Sequence, residues 1–263
     1  MTIFRREVRS GLRGVVLWGL SISALMVIIM TLFPRVERRA ELVTQMMSGL
    51  NLLTMALGID KLEYATPMGF YGIEAGNIMS LGGALYAGIT GISMLAKEEG
   101  RHTSEYLMSH PVGRFWVVTQ KLMALTLLLM MMNLIFLGFG FVAFALVARP
   151  VVVEELLNLH LAMLLMMQQI GFMLFGVSAF LRRENPGLGI GIPLMFYFLN
   201  VLLNLSPDMQ FLRYVTPHYY ADAGKIVGMG GAIPWHFVTV GGVTALVFLL
   251  LGYIRYLTKD LAI

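Results

Sequence analysis

Six runs of about twenty residues carry no Asp, Glu, Lys or Arg, apart from Arg255 near the end of the last. They are Val15–Phe33, Ala75–Ala96, Leu122–Val147, Leu161–Leu181, Gly187–Leu205 and Trp235–Tyr256. A bilayer core of ~30 Å takes ~20 apolar residues of helix to cross. In hydrocarbon every backbone polar group needs an internal partner, and a helix supplies one within a single segment. The runs are unbroken rather than alternating, which excludes barrel strands. The expectation is an all-α, polytopic membrane protein with six transmembrane helices. Only 13% of the residues are charged, against about 25% in a soluble domain.

Lys and Arg set the orientation. With the N-terminus in the cytoplasm, the inside segments hold Arg5, Arg6, Arg9, Arg13, Lys97, Arg101, Arg114, Lys121, Arg182, Arg183, Arg255 and Lys259. The outside segments hold Arg35, Arg38, Arg39, Lys61, Arg149, Arg213 and Lys225. Both termini are therefore expected in the cytoplasm of a cell-membrane protein. The first run exceeds the ~7–15 residues of a signal core, and no small-residue cleavage site follows it directly. It reads as a retained span. The net charge of +4 is too small and scattered for nucleic acid, and the chain has no cysteine.

Between the spans, three segments have character. In residues 1–14, Ile3/Phe4, Val8 and Leu12 recur at helical spacing among arginines, which reads as an amphipathic interfacial helix with snorkelling cations. A solvated basic tail is the alternative. Residues 34–73 and 206–234 are the long outside segments. In the first, Leu42, Met46, Met47, Leu50, Leu53 and Leu57 approximate an apolar helical stripe, and Pro67 with Gly69 is expected to end its regularity. In the second, Tyr214, Tyr219 and Tyr220 sit among prolines and glycines, as interfacial tyrosines do.

Polar groups within the spans are few. Asn133, Gln168, Gln169, Asn200 and Asn204 are candidates for lining a substrate pathway, although such residues commonly join helices. His160, near a span end, is expected at the interface. Glu74 and Asn77 read as polar groups favoured at a helix N-terminus, with an outer-gate contact as the alternative. Gly76, Ser80, Ala84 and Gly88 recur every fourth residue, and Gly83, Ala87 and Gly91 mark a neighbouring face. Small faces let helices approach closely, within the chain or with a second copy. The 21 methionines read as adaptable packing rather than a soft-metal path.

Chemistry for self-powered transport or catalysis is missing from these motifs. No ionisable group lies near the middle of a span, as ion-coupled carriers require. Ala223–Lys225 reads Ala-Gly-Lys without the remainder of a phosphate-binding loop. The five histidines have no metal-ligand spacing, so no metal site is expected.

The longest charged interruption between two spans, Leu95–Leu122, reads LAKEEGRHTSEYLMSHPVGRFWVVTQKL. Thr103 is placed to cap a helix with Glu105 in its first turn. Pro111 stops the helix. Tyr106, Leu107 and Met108 would then form a compact apolar knob suited to a partner's groove.

This stretch resembles the first cytoplasmic loop of ABC-2-type transporter permeases at Glu98, Glu99, Gly100, Thr103, Leu107, Pro111, Arg114 and Lys121. Leu212–Val227, LRYVTPHYYADAGKIV, resembles the outside loop before the last span of the same permeases. The N-terminal amphipathic stretch and the six-span layout extend the resemblance over the whole chain. It implies one transmembrane permease domain, residues 1–263, acting as an exporter subunit with a second permease copy or paralogue. Separate cytoplasmic ATPase subunits would bind ATP and Mg²⁺, so this chain would need no cofactor and would be no enzyme. Residues 97–114 would form the coupling loop, with Glu98, Glu99, Arg101, Thr103, Glu105, Tyr106, Leu107 and Met108 as its contacts. A non-transporting scaffold that anchors a cytoplasmic partner is the alternative.

Overall fold

The computed structural model describes residues 2–58, 62–100, 113–227 and 230–259, all of them helix, turn or loop. Helix α1 runs from Thr2 to Met30, followed by the short helices α2 (Phe33–Glu37), α3 (Ala40–Gly49) and α4 (Asn51–Ala56). Long helix α5 (Pro67–Ser93) leads to the single turn α6 (Lys97–Gly100). Then come α7 (Arg114–Leu146), α8 (Val153–Ser178) and α9 (Pro186–Leu205). A cap of 3₁₀ turns, Pro207–Tyr214 and Pro217–Tyr219, and helix α10 (Ala223–Ile226) precedes α11 (Trp235–Thr258).

Among the described residues, five segments are long and apolar enough to cross a membrane: α1 with α2, α7, α8, α9 and α11. The expected second span lies in α5. That helix has 27 residues, but Glu74, Asn77, Ser80 and its glycines lower its apolarity. The reason is its position. It packs against α1, α7, α8, α9 and α10, and most of its residues are buried by protein. A helix walled off from lipid by its neighbours does not need an apolar surface all round.

Pro67 and Gly69 begin a helix instead of ending one. Thr66 is the N-cap, its Oγ1 accepting a hydrogen bond from the Gly69 N–H at 3.1 Å. Proline suits the first helical position, where its missing N–H would be unpaired anyway. Glu74 is consequently two turns inside α5, away from the dipole's positive end. Its carboxylate accepts a hydrogen bond from Tyr64 Oη at 3.1 Å.

The N-terminal stretch is not a separate interfacial helix. Residues 2–14 form the first turns of the 29-residue α1, whose length of about 44 Å exceeds the hydrocarbon thickness. No proline interrupts it. One stripe, Ile3, Glu7, Val15, Gly19, Ser23, Met26 and Met30, is buried. Its glycines admit α7 side chains: a Cβ on Gly11 would meet Leu128 at 2.5 Å, and one on Gly19 would meet Ile135 at 3.1 Å.

The small face of α5 packs on helices of this same chain. A Cβ on Gly88 would lie 2.2 Å from the Gly189 carbonyl and 2.6 Å from the Pro193 ring, both on α9. Pro193 has no N–H to offer the carbonyl four residues back. The Gly189 carbonyl it leaves without that donor points at Gly88. On the neighbouring face, Gly91 meets the Gly171 carbonyl at a Cβ distance of 2.5 Å, and Gly83 meets Met167 at 2.8 Å. Ala84 and Ala87 are fully buried between these contacts.

Candidate functional site

At the end of the bundle that holds Thr2, Arg114 and Lys259, six charged side chains meet. Lys121 on α7 is wholly buried, at 0% exposure, and Glu98 and Glu99 on α6 are each 6% exposed. Lys121 Nζ donates to Glu98 Oε1 at 2.5 Å, to Glu7 Oε1 at 3.2 Å and to the Met94 carbonyl at 2.6 Å. Lys97 Nζ forms a second ion pair with Glu7. Lys259 Nζ donates to Glu99 Oε2 at 2.5 Å and to the Leu181 carbonyl at 2.7 Å.

The arrangement follows from where the helices end. Met94 is the C-cap of α5, and Leu181 lies just beyond the end of α8. Carbonyls without intrahelical partners favour a cation there. Lys121 and Lys259 each provide one, and α6 then presents a carboxylate to each lysine. Arg114, the first residue of α7, donates to the Lys259 carbonyl at 2.7 Å and to that of Leu257 at 3.3 Å. One turn of helix is thus tied to α1, α5, α7, the end of α8 and the end of α11.

Glu98 and Glu99 do not extend into water, as a span leading into a loop would have them do. Arg101, Thr103, Glu105, Tyr106, Leu107 and Met108 lie outside the described residues, as does the expected coupling helix. The hub sits immediately before that stretch. Glu7 is the member sequence reasoning missed. Its signal was a lone acid among arginines, in register with the buried stripe of Ile3 and Val15. Lys259 gave no pattern, because its partner is 160 residues away.

At the opposite end, a cavity of about 30 Å³ lies between α4, α5, α9 and the cap, lined by Asn77, Ser80, Tyr197, Asn200, Asn204 and His218 among others. It has room for about one or two waters. Ser80 Oγ is 3.0 Å from His218 Nδ1, and the Tyr197 ring stands edge-on to the imidazole at 5.6 Å between centroids. Burial lowers the His218 pKa to about 4, opposed by the nearby Asp222 carboxylate, so the ring is neutral at pH 7. His218 Nε2 and Asn200 Oδ1 are buried and meet no hydrogen-bonding group of the described chain. Tyr197 Oη donates to Asn77 Oδ1 at 3.3 Å. Thr216 Oγ1 donates to the Phe196 carbonyl at 2.7 Å, fastening the cap to α9. Asp222 accepts from the Gly224 N–H at 2.9 Å and pairs with Lys225 at 3.3 Å.

The five candidate pathway residues separate into two groups. Asn200 and Asn204 line the cavity. Asn133, Gln168 and Gln169 do not. Gln168 Nε2 donates to the Thr126 carbonyl at 3.1 Å, joining α8 to α7. Gln169 Oε1 accepts from Tyr220 Oη at 2.7 Å, joining α8 to the cap. Asn133 is buried on α7. Gly76 and Ser80 meet the cap through Ala223 and His218. His160 is enclosed by protein: it is 1% exposed, with Nε2 2.8 Å from Tyr71 Oη. The position of His160 near a span end did not reveal that Tyr71, itself packed on Phe144, lies against it.

These features define a multi-pass helical membrane protein with a buried ionic hub at one end and a capped polar cavity at the other. The family model described as ABC-2 family transporter protein matches residues 1–261, and the chain belongs to that family. No curated protein matches it.

Proposed function

We propose that this chain is the permease subunit of an ATP-driven exporter, working as a dimer beside separate cytoplasmic ATPase subunits. The ATPases bind ATP and Mg²⁺ and carry out hydrolysis, while this chain supplies the route and no catalytic step. The observation that carries the reading is the placement of α6. It opens the charged stretch that resembles an ABC-2 coupling loop, and its two carboxylates are held by lysines from α7 and the chain's end.

A push on residues 101–112 would reach α6 on one side and the start of α7 on the other. Through Lys121 it would reach α7 and Glu7 of α1, and through Lys259 the ends of α8 and α11. Deep burial makes these contacts strong and costly to break singly, so the attached helix ends would move together. The cap over the Asn200–His218 cavity then serves as the outer closure, with α5 as the sixth span between hub and cap. In this reading both termini face the cytoplasm of a cell membrane.

Co-expression with tagged ATPase candidates tests it. An ATPase subunit is expected to copurify with this chain, and vesicles containing both are expected to show nucleotide-dependent efflux that either alone lacks. Copurification without flux, under conditions where both proteins are folded, would favour the scaffold. Failure to recruit any ATPase would end the permease reading.

A further inference from the structure

Four arginines occupy the exposed face of α1's first turns: Arg5, Arg6, Arg9 and Arg13, which with Ser10 line an open hollow. Arg5, Arg9 and Arg13 are spaced four residues apart and so stack along one side of the helix. Among the described residues none of the four is paired with a carboxylate. The one acid within this stretch, Glu7, faces the opposite way and is already held by Lys97 and Lys121. The fold therefore takes the negative charge inward and leaves four positive charges outward.

The same helical face continues upward as Val16, Leu17, Leu20 and Ile28, which are 43%, 68%, 43% and 63% exposed. On a membrane-crossing helix that apolar face meets lipid tails. The arginines lie directly below it, at the depth where a lipid's headgroup begins. Guanidinium groups bind phosphate oxygens in bidentate fashion.

We propose that Arg5, Arg9 and Arg13, with Arg6 at their flank, form a binding site for the phosphate headgroup of an anionic phospholipid. A lipid with its tails along Leu17 and Leu20 would place its phosphate among the arginines. The vertical continuity with the tail-facing stripe favours lipid over an acidic protein surface, which would need no apolar face above it. Each arginine near an anionic surface contributes about a five-fold gain in association. The site requires α1 to be in a bilayer and does not depend on transport.

The test uses the full chain in nanodiscs of phosphatidylcholine with one-tenth phosphatidylglycerol, reading the lipid retained after extraction into mild detergent. Phosphatidylglycerol is expected to be enriched several-fold over its bulk share, and the enrichment is expected to fall as salt rises through the range that screens charge. The triple variant R5Q/R9Q/R13Q is expected to bring the retained lipid back to bulk composition. The lysine triple variant keeps the charge and is expected to retain part of the enrichment, guarding against a folding defect. R182Q/R183Q, outside the stripe, is expected to leave it unchanged. The proposal is overturned by absence of enrichment in the wild type, by equal enrichment in R5Q/R9Q/R13Q, or by displacement of the lipid by low millimolar inorganic phosphate, which would mark a free-anion site.

Discussion

A lysine with no exposure to solvent is costly in any protein, and Lys121 has 0%. It persists because two carboxylates and a helix-end carbonyl surround its ammonium. Removing one partner of a buried pair costs about 3–5 kcal/mol, because the other charge stays buried. Replacing both with apolar groups of similar size is often close to neutral. Lys121→Met is therefore expected to lower the melting temperature in detergent sharply, by an amount corresponding to about 3–5 kcal/mol. Lys121→Met with Glu98→Met is expected to recover most of the loss, since Glu7 keeps Lys97. Equal melting of wild type and single variant would mean that the hub does not hold this end together. Lys121 was legible in the sequence as a lone cation at the start of an apolar run. Its partners were not, since Glu7 and Glu98 lie 114 and 23 residues away and only the helix packing brings them together.

Among the elements, α5 shows why spacing can reveal a packed face without revealing what packs on it. The period of four in Gly76, Ser80, Ala84 and Gly88 was readable, and so was close approach. That α9 supplies the partner at Gly88 depends on Pro193 and Gly189, a pairing with no local sequence signal. The start of α5 was misread for a related reason: Thr66-Pro67 is both a breaker and an N-cap signal, and only the helix that follows decides between them. The packing predicts opposite results for two glycines. Gly88→Ala puts a methyl against the Gly189 carbonyl at 2.2 Å, which backbone cannot yield, and strain of about 1–3 kcal/mol is expected. Gly138→Ala on α7 meets nothing within 4 Å. There the methyl removes the helix penalty of glycine, a gain of about 0.5–1 kcal/mol. Thermal unfolding of the two purified variants checks the pair, and a Gly88→Ala protein as stable as wild type would contradict the close α5–α9 contact.

At the scale of the molecule, the question left by α5 is one of parity. Among the described residues five helical segments have the length and apolarity of membrane spans, and an odd number would leave the termini on opposite sides. We propose an even number, with α5 as the sixth. Phe4 meets Gln120 and Lys259 meets Glu99 at one end, so the two ends of the described chain lie together. Helices α1, α7 and α9 lead away from that end, and α8 and α11 lead back. Only α5, running from the cap residues near Ala223 to the hub at Met94, balances the count. In that reading its glycines and polar groups are tolerable because protein buries most of the helix, the condition under which polar groups survive at membrane depth. Epitope tags before Thr2 and after Ile263 are therefore expected to be accessible from the same face of sealed vesicles, and a tag inserted beside Gly58 from the other. If the two terminal tags were accessible from opposite faces, α5 could not cross the bilayer, and the arrangement joining hub to cap would be lost with it.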